Sequence, residues 1–109
     1  MNPDVYEKWV GALRSGEYPQ AIGRLHYNGK FCCLGVLCKL HSQETGQVWV
    51  GDTYLGEKHY LPQAVVEWAG LDNNDPSVET KYHEEKALSL LNDKGYSFDD
   101  IAQWIEEQL

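Results

Sequence analysis

GALRSGEYPQAIGRLHYNGKFCCLGVLCKL, residues 11–40, changes its periodicity twice, and those changes set the fold class. Its first residues close a helix whose apolar positions Tyr6, Trp9, Val10 and Leu13 recur at helical spacing until Gly16. Arg14-Ser15-Gly16-Glu17-Tyr18-Pro19-Gln20 is polar and reads as an ordered turn. Asn28-Gly29 is the dipeptide that suits a type I′ turn, and it is flanked by Arg24-Leu25-His26-Tyr27 and Lys30-Phe31-Cys32-Cys33. The spacing then returns to helical over Cys33 to His41, with Gly35 permitting close packing. Helix, hairpin and helix within thirty residues predict a mixed α+β domain.

Outward from this block the signals are shorter. Asn2-Pro3-Asp4 opens the first helix, with a capping side chain, Pro in the first turn and an acid at the positive end of the dipole. Gln47-Val48-Trp49-Val50, Gly51-Asp52 and Thr53-Tyr54-Leu55 predict a second short hairpin. A helix is expected from Gln63 to Ala69, ended by Gly70, and an edge strand over Val78 to Tyr82. Glu84 to Asp93 reads as helix, closed by Lys94-Gly95. Ser97 caps a last helix whose stripe is Phe98, Ile101, Trp104, Ile105 and Leu109. The expected architecture is one α+β domain over residues 1–109, with four to five helices and one or two short antiparallel β-hairpins.

Hydrophobic residues at 42% argue for a packed core rather than disorder. Residues 1–41 hold five bases against three acids, whereas residues 42–109 hold four lysines against fourteen acids. Such a body opposes a duplex phosphate backbone, so DNA binding is not expected. Residues 97–109 imitate the second helix of a helix-turn-helix, yet carry four acids and no base. No apolar run approaches a membrane span. Met1-Asn2-Pro3-Asp4 is unlike a secretory leader, and the cysteines are odd in number, so free thiols in a reducing cytoplasm are expected. Cys33 and Cys38 lie ~140° apart around a helix at 3.6 residues per turn, a poor clamp for zinc even with His41 nearby. Neither a metal nor a cofactor is expected.

Trp9…Ala12-Leu13-Arg14-Ser15-Gly16…Tyr18…Gln20, Cys32-Cys33-Leu34-Gly35-Val36-Leu37-Cys38 and Leu91-Asn92-Asp93…Gly95-Tyr96-Ser97-Phe98 resemble a widespread family of small bacteriophage and prophage proteins. The likeness covers nearly the whole chain. Lys39 and His41 depart from it, standing where that family carries an acidic and an aromatic residue. The resemblance implies a phage accessory protein in a bacterial cytoplasm and brings no catalytic residues with it.

The candidate ligand site comprises Arg14, Ser15, Tyr18, Gln20, Arg24 and His26. Two guanidiniums can fork onto phosphate oxygens, Tyr18 can stack on a base, and Gln20 and His26 can add hydrogen bonds. The competing reading has Arg14 capping its own helix and Arg24 paired with Glu17. Glu84-Glu85 and Asp99-Asp100 read as solvated helix starts rather than paired catalytic acids. The expected function is sequestration, without catalysis, of a small anionic nucleotide-type signal that counters a host defence; oligomerisation would place pockets between protomers. The alternative is an acidic inhibitor or adaptor that docks on a basic host protein.

Overall fold

Asn2 starts the first helix as its sequence predicts: Oδ1 accepts from the backbone N–H groups of Asp4 (3.0 Å) and Val5 (3.3 Å). In the computed structural model, which describes residues 1–109, this helix is α1 (Pro3–Arg14). It buries Val5, Trp9, Val10 and Leu13 against α2 (Cys33–Thr45) and α5 (Phe98–Gln108). Trp9 lies at the centre, and its indole N–H donates to the carbonyl of Cys33 at 3.0 Å. Between α1 and α2, β1 (His26–Tyr27) and β2 (Lys30–Phe31) form the predicted hairpin, with Asn28 and Gly29 at φ 51° and 81°. Both positive values are what a type I′ turn demands.

The hairpin is shorter than its sequence predicts: the Leu25 carbonyl still accepts from Cys32 N–H at 3.2 Å, but its N–H turns away to donate to the Lys58 carbonyl at 2.8 Å. The turn at residues 19–21 runs beside β2 instead. Ala21 N–H donates to Phe31 O, and Phe31 N–H to Pro19 O, both at 2.8 Å. Cys32 caps α2 with its sulfur, which accepts from Gly35 N–H at 3.4 Å.

Two expectations for the second half need correction. The hairpin over 47–55 reduces to isolated bridges, Val50 with Thr53 and Tyr54 with Glu57, because the buried Tyr54 turns the chain inward. The helix over 84–93 loses its first half: Glu85–Ala87 is β4, paired antiparallel with β3 (Ser77–Glu79), and only Leu88–Asp93 is helical, as α4. Glu, Lys and Ala favour helix, but Val78 and Leu88 are both buried, and sinking them together brings the two segments into register. The predicted edge strand is correspondingly shorter, and Thr80–His83 is a turn closed by His83 N–H to Thr80 O at 2.9 Å. Gln108 of α5 completes the outer side of β3, accepting from Glu79 N–H at 2.6 Å and donating to its carbonyl at 2.8 Å.

The helix at α3 (Gln63–Ala69) and the Ser97 cap of α5 follow the sequence. The fold is thus a single α+β domain with five helices and two two-stranded antiparallel sheets. Its radius of gyration, 12.6 Å, matches the ~13 Å expected for one body of this length. No helix is long and apolar enough to cross a membrane.

Candidate functional site

The six candidate residues fall into two groups. Arg14, in the last turn of α1, reaches across to α5: Nη1 donates to Glu106 Oε2 at 2.8 Å and Nη2 to Gln103 Oε1 at 3.2 Å. It does not cap its own helix; Ser15 does that, its hydroxyl donating to Ala12 O at 2.7 Å and accepting from Glu17 N–H at 3.1 Å. Gln20 points toward the same end of the molecule, with Nε2 donating to Asn92 Oδ1 at 3.0 Å and to Tyr96 O at 2.8 Å.

The second group gathers at the β-hairpin. Arg24 pairs with Asp52, not Glu17, at 3.5 Å, and its guanidinium lies 5.0 Å over the Tyr27 ring. His26 Nδ1 is 3.4 Å from the same carboxylate, while Nε2 accepts from Gly29 N–H at 3.3 Å. Its ring packs 4.7 Å from Phe31, against which Tyr18 sets its own ring edge-on at 5.7 Å. Arg24 and His26 therefore converge on one aspartate. The crevice beside Arg24 and His59 holds about 60 Å³, room for about two waters at ~30 Å³ each. The Arg14 pair is exposed, with 36% of the arginine side chain open, so Arg14→Ala should lower stability by no more than about 1 kcal/mol in a urea titration.

The residue that sequence reasoning undervalued is Asn92. It is fully buried and joins four parts of the chain. Oδ1 accepts from Gln20 and from Cys33 N–H (3.1 Å), and Nδ2 donates to Ala21 O (2.8 Å) and Asp93 Oδ1 (3.2 Å). Asp93 Oδ1 in turn accepts from Gly23 N–H at 2.9 Å. The LND string sat in the motif that carries the family resemblance, but nothing local marks its asparagine as buried.

A cavity of about 560 Å³ opens between the β3–β4 turn and the α4–α5 corner. Lys81, Lys86 and Lys94 line it, three of the four lysines in the acidic part of the chain, facing Glu84, Asp100 and Glu107 and the rings of Tyr82, Tyr96 and Trp104. Tyr96 and Trp104 meet edge to face at 5.1 Å and form a fixed wall, whereas Tyr82 is 69% exposed on the turn. Lys86 is held by Glu84 at 3.4 Å, and the Lys81 ammonium lies 5.1 Å from the centre of the Tyr82 ring. Arg14 and Gln20 each hydrogen-bond a residue that lines this cavity. Arg14 fixes Gln103, which also donates to Glu107 at 2.7 Å, and Gln20 holds the Tyr96 carbonyl. Size, rings and ammonium groups together suit a small planar anion. A second cavity, about 500 Å³, sets Asp4, Glu7 and Glu44 against Lys8 alone and suits no anion.

The thiols offer no nucleophile near neutrality. Burial pushes Cys32 up to about 11 and raises Cys33 and Cys38 well above the ordinary thiol value. A disulfide reagent at pH 8 should therefore label none of the three in the native protein and all three in denaturant. Rapid native labelling would show that α2 opens on its own.

His41 is buried beside Trp68 and hydrogen-bonds through Nδ1 to the Tyr54 hydroxyl. Burial lowers its pKa below the ordinary 6.5, with Glu44 opposing. The folded state thus holds the neutral ring, and the stability it contributes is complete above pH 6.5 and is lost as pH falls through the lowered value. The urea midpoint should fall on acidification from pH 8 to 5, more steeply than in His41→Gln.

Residues 1–109 match the family model for a domain of unknown function (DUF8296), and the chain belongs to that family. No curated protein and no solved structure matches it.

Proposed function

We propose that this member of the DUF8296 family is a binding protein that captures a small anionic, nucleotide-type ligand without chemically changing it. The observation that carries this reading is the cavity of about 560 Å³, where an otherwise acidic part of the chain brings three lysines and three aromatic rings together and only one of the lysines, Lys86, is paired with a carboxylate. Rings supply stacking faces and ammonium groups supply charge, the combination by which phosphate-bearing bases are held. Sequestration needs tight binding and slow release rather than complementarity to a transition state. The likeness of the ALRSG, CCLGVLC and LND segments to phage-encoded proteins supports a role in an infected bacterial cytoplasm, where removing a nucleotide signal would blunt a host defence.

The test is to incubate the purified protein with extract from bacteria whose nucleotide-signalling defences have been triggered. The protein is then repurified and denatured, and the released small molecules are identified by mass spectrometry. Near-stoichiometric recovery of an intact nucleotide, lost in the Lys81→Ala/Lys94→Ala variant, supports the proposal. Loss on Arg24→Ala instead would move the site to the Asp52 cluster. An empty protein would turn attention to basic protein partners of the acidic surface, and a consumed signal with nothing bound would mean catalysis.

A further inference from the structure

Resting on the ligand-binding reading above, we infer that the cavity selects a planar base joined to a single phosphate group, the nucleoside monophosphate class, and rejects nucleoside triphosphates. The charge inventory of its walls sets this limit. Lys81, Lys86 and Lys94 face Glu84, Asp100 and Glu107 around the same space. Lys86 is paired with Glu84 at 3.4 Å, whereas neither Lys81 nor Lys94 has a carboxylate within 4.0 Å. Two ammonium groups remain for the ligand.

One phosphate monoester carries a charge of about −1.5 to −2 at neutral pH, which two ammonium groups match. A triphosphate brings roughly two further charges and would set them against Asp100 and Glu107 on a protein of net charge −8. The placement of the groups agrees with this division of labour. Lys94 sits at the end of α4 and Lys81 on the β3–β4 turn, and both line the cavity. Tyr82 is largely exposed and has the Lys81 ammonium 5.1 Å over one face of its ring, which leaves the opposite face to a base, while Tyr96 and Trp104 pack on each other as the cavity wall. The base stacks on Tyr82, and the phosphate lies between Lys81 and Lys94.

Calorimetric titration of the full chain with adenosine and guanosine 5′-monophosphates, the matching triphosphates, the neutral nucleosides, inorganic phosphate and a short 5′-phosphorylated single strand tests this. At least one monophosphate should bind about tenfold or more tighter than its triphosphate and its nucleoside. Lys94→Gln and Tyr82→Ala, both surface changes whose folding is checked by thermal melting, should each weaken it by about tenfold. A triphosphate that binds as tightly as its monophosphate overturns the single-phosphate limit while leaving the binding function standing. Preference for the single strand overturns it in favour of a nucleic-acid end. If no titrant binds while repurified protein carries another ligand, the inference falls and sequestration survives; if the repurified protein is also empty, both fall.

Discussion

Gly35→Ala is expected to destabilise the protein by about 3 kcal/mol or more, the upper range for forcing extra volume into a packed core. In an ordinary helix interior the same change would stabilise by up to ~1 kcal/mol. The sign reverses because a Cβ at Gly35 would stand 1.8 Å from the Leu25 carbonyl oxygen and 2.8 Å from its carbon. Neither backbone can yield cheaply. Leu25 is tied by its N–H to Lys58 O at 2.8 Å and by its carbonyl to Cys32 N–H at 3.2 Å, and Gly35 N–H is the donor that Cys32 sulfur caps. Gly11 in α1 is the internal control, since a Cβ there meets nothing within 4 Å. Urea midpoints should move in opposite directions, down for Gly35→Ala and up for Gly11→Ala. Equal shifts would mean that α2 and the Leu25 backbone approach less closely than the structure has them.

Asn92→Leu should cost about 3 kcal/mol, because removing the amide strands Cys33 N–H and Ala21 C=O in the interior at ~1–3 kcal/mol each. Both bonds are short, 3.1 and 2.8 Å, and Asn92 is fully buried, so water cannot replace it without opening the α2–α4 contact. Asn92→Asp is expected to be no better. It keeps the acceptor for Cys33 but loses both donated bonds, and it sets a second carboxylate beside Asp93. Amide hydrogen exchange gives a local reading: protection at Cys33 should collapse in Asn92→Leu before protection in α5 does. An unchanged midpoint together with retained protection at Cys33 would mean the asparagine is not the hub of this contact.

Elements legible in the chain are those whose causes lie within a few residues. The Asn2 cap, the Asn28-Gly29 turn, the Gln63–Ala69 helix and the Ser97 cap each depend on a side chain or a backbone angle acting over one turn. Glu85–Ala87 shows the opposite case, for its helix-forming residues become a strand when Val78 and Leu88 are buried together. The same division runs through the site. Polar residues before the hairpin were visible as a candidate, but a guanidinium does not announce its partner. Arg14 meets Glu106 across 92 positions of sequence, and Gln20 meets Asn92 across 72. The lysines and aromatic rings of the cavity lie on two segments, residues 80–86 and 91–107, that no periodicity connects.

Composition, capping and turn chemistry by themselves determined an acidic α+β domain with its first helix, its hairpin turn and its last helix in place, because these are short-range energies that the local chain satisfies alone. Tertiary structure decided which arginine is spent on which carboxylate, that Asn92 is the buried junction, and where an acidic protein gathers its lysines. Those outcomes depend on burial and on pairing between distant segments, and neither exists until the chain has closed on itself.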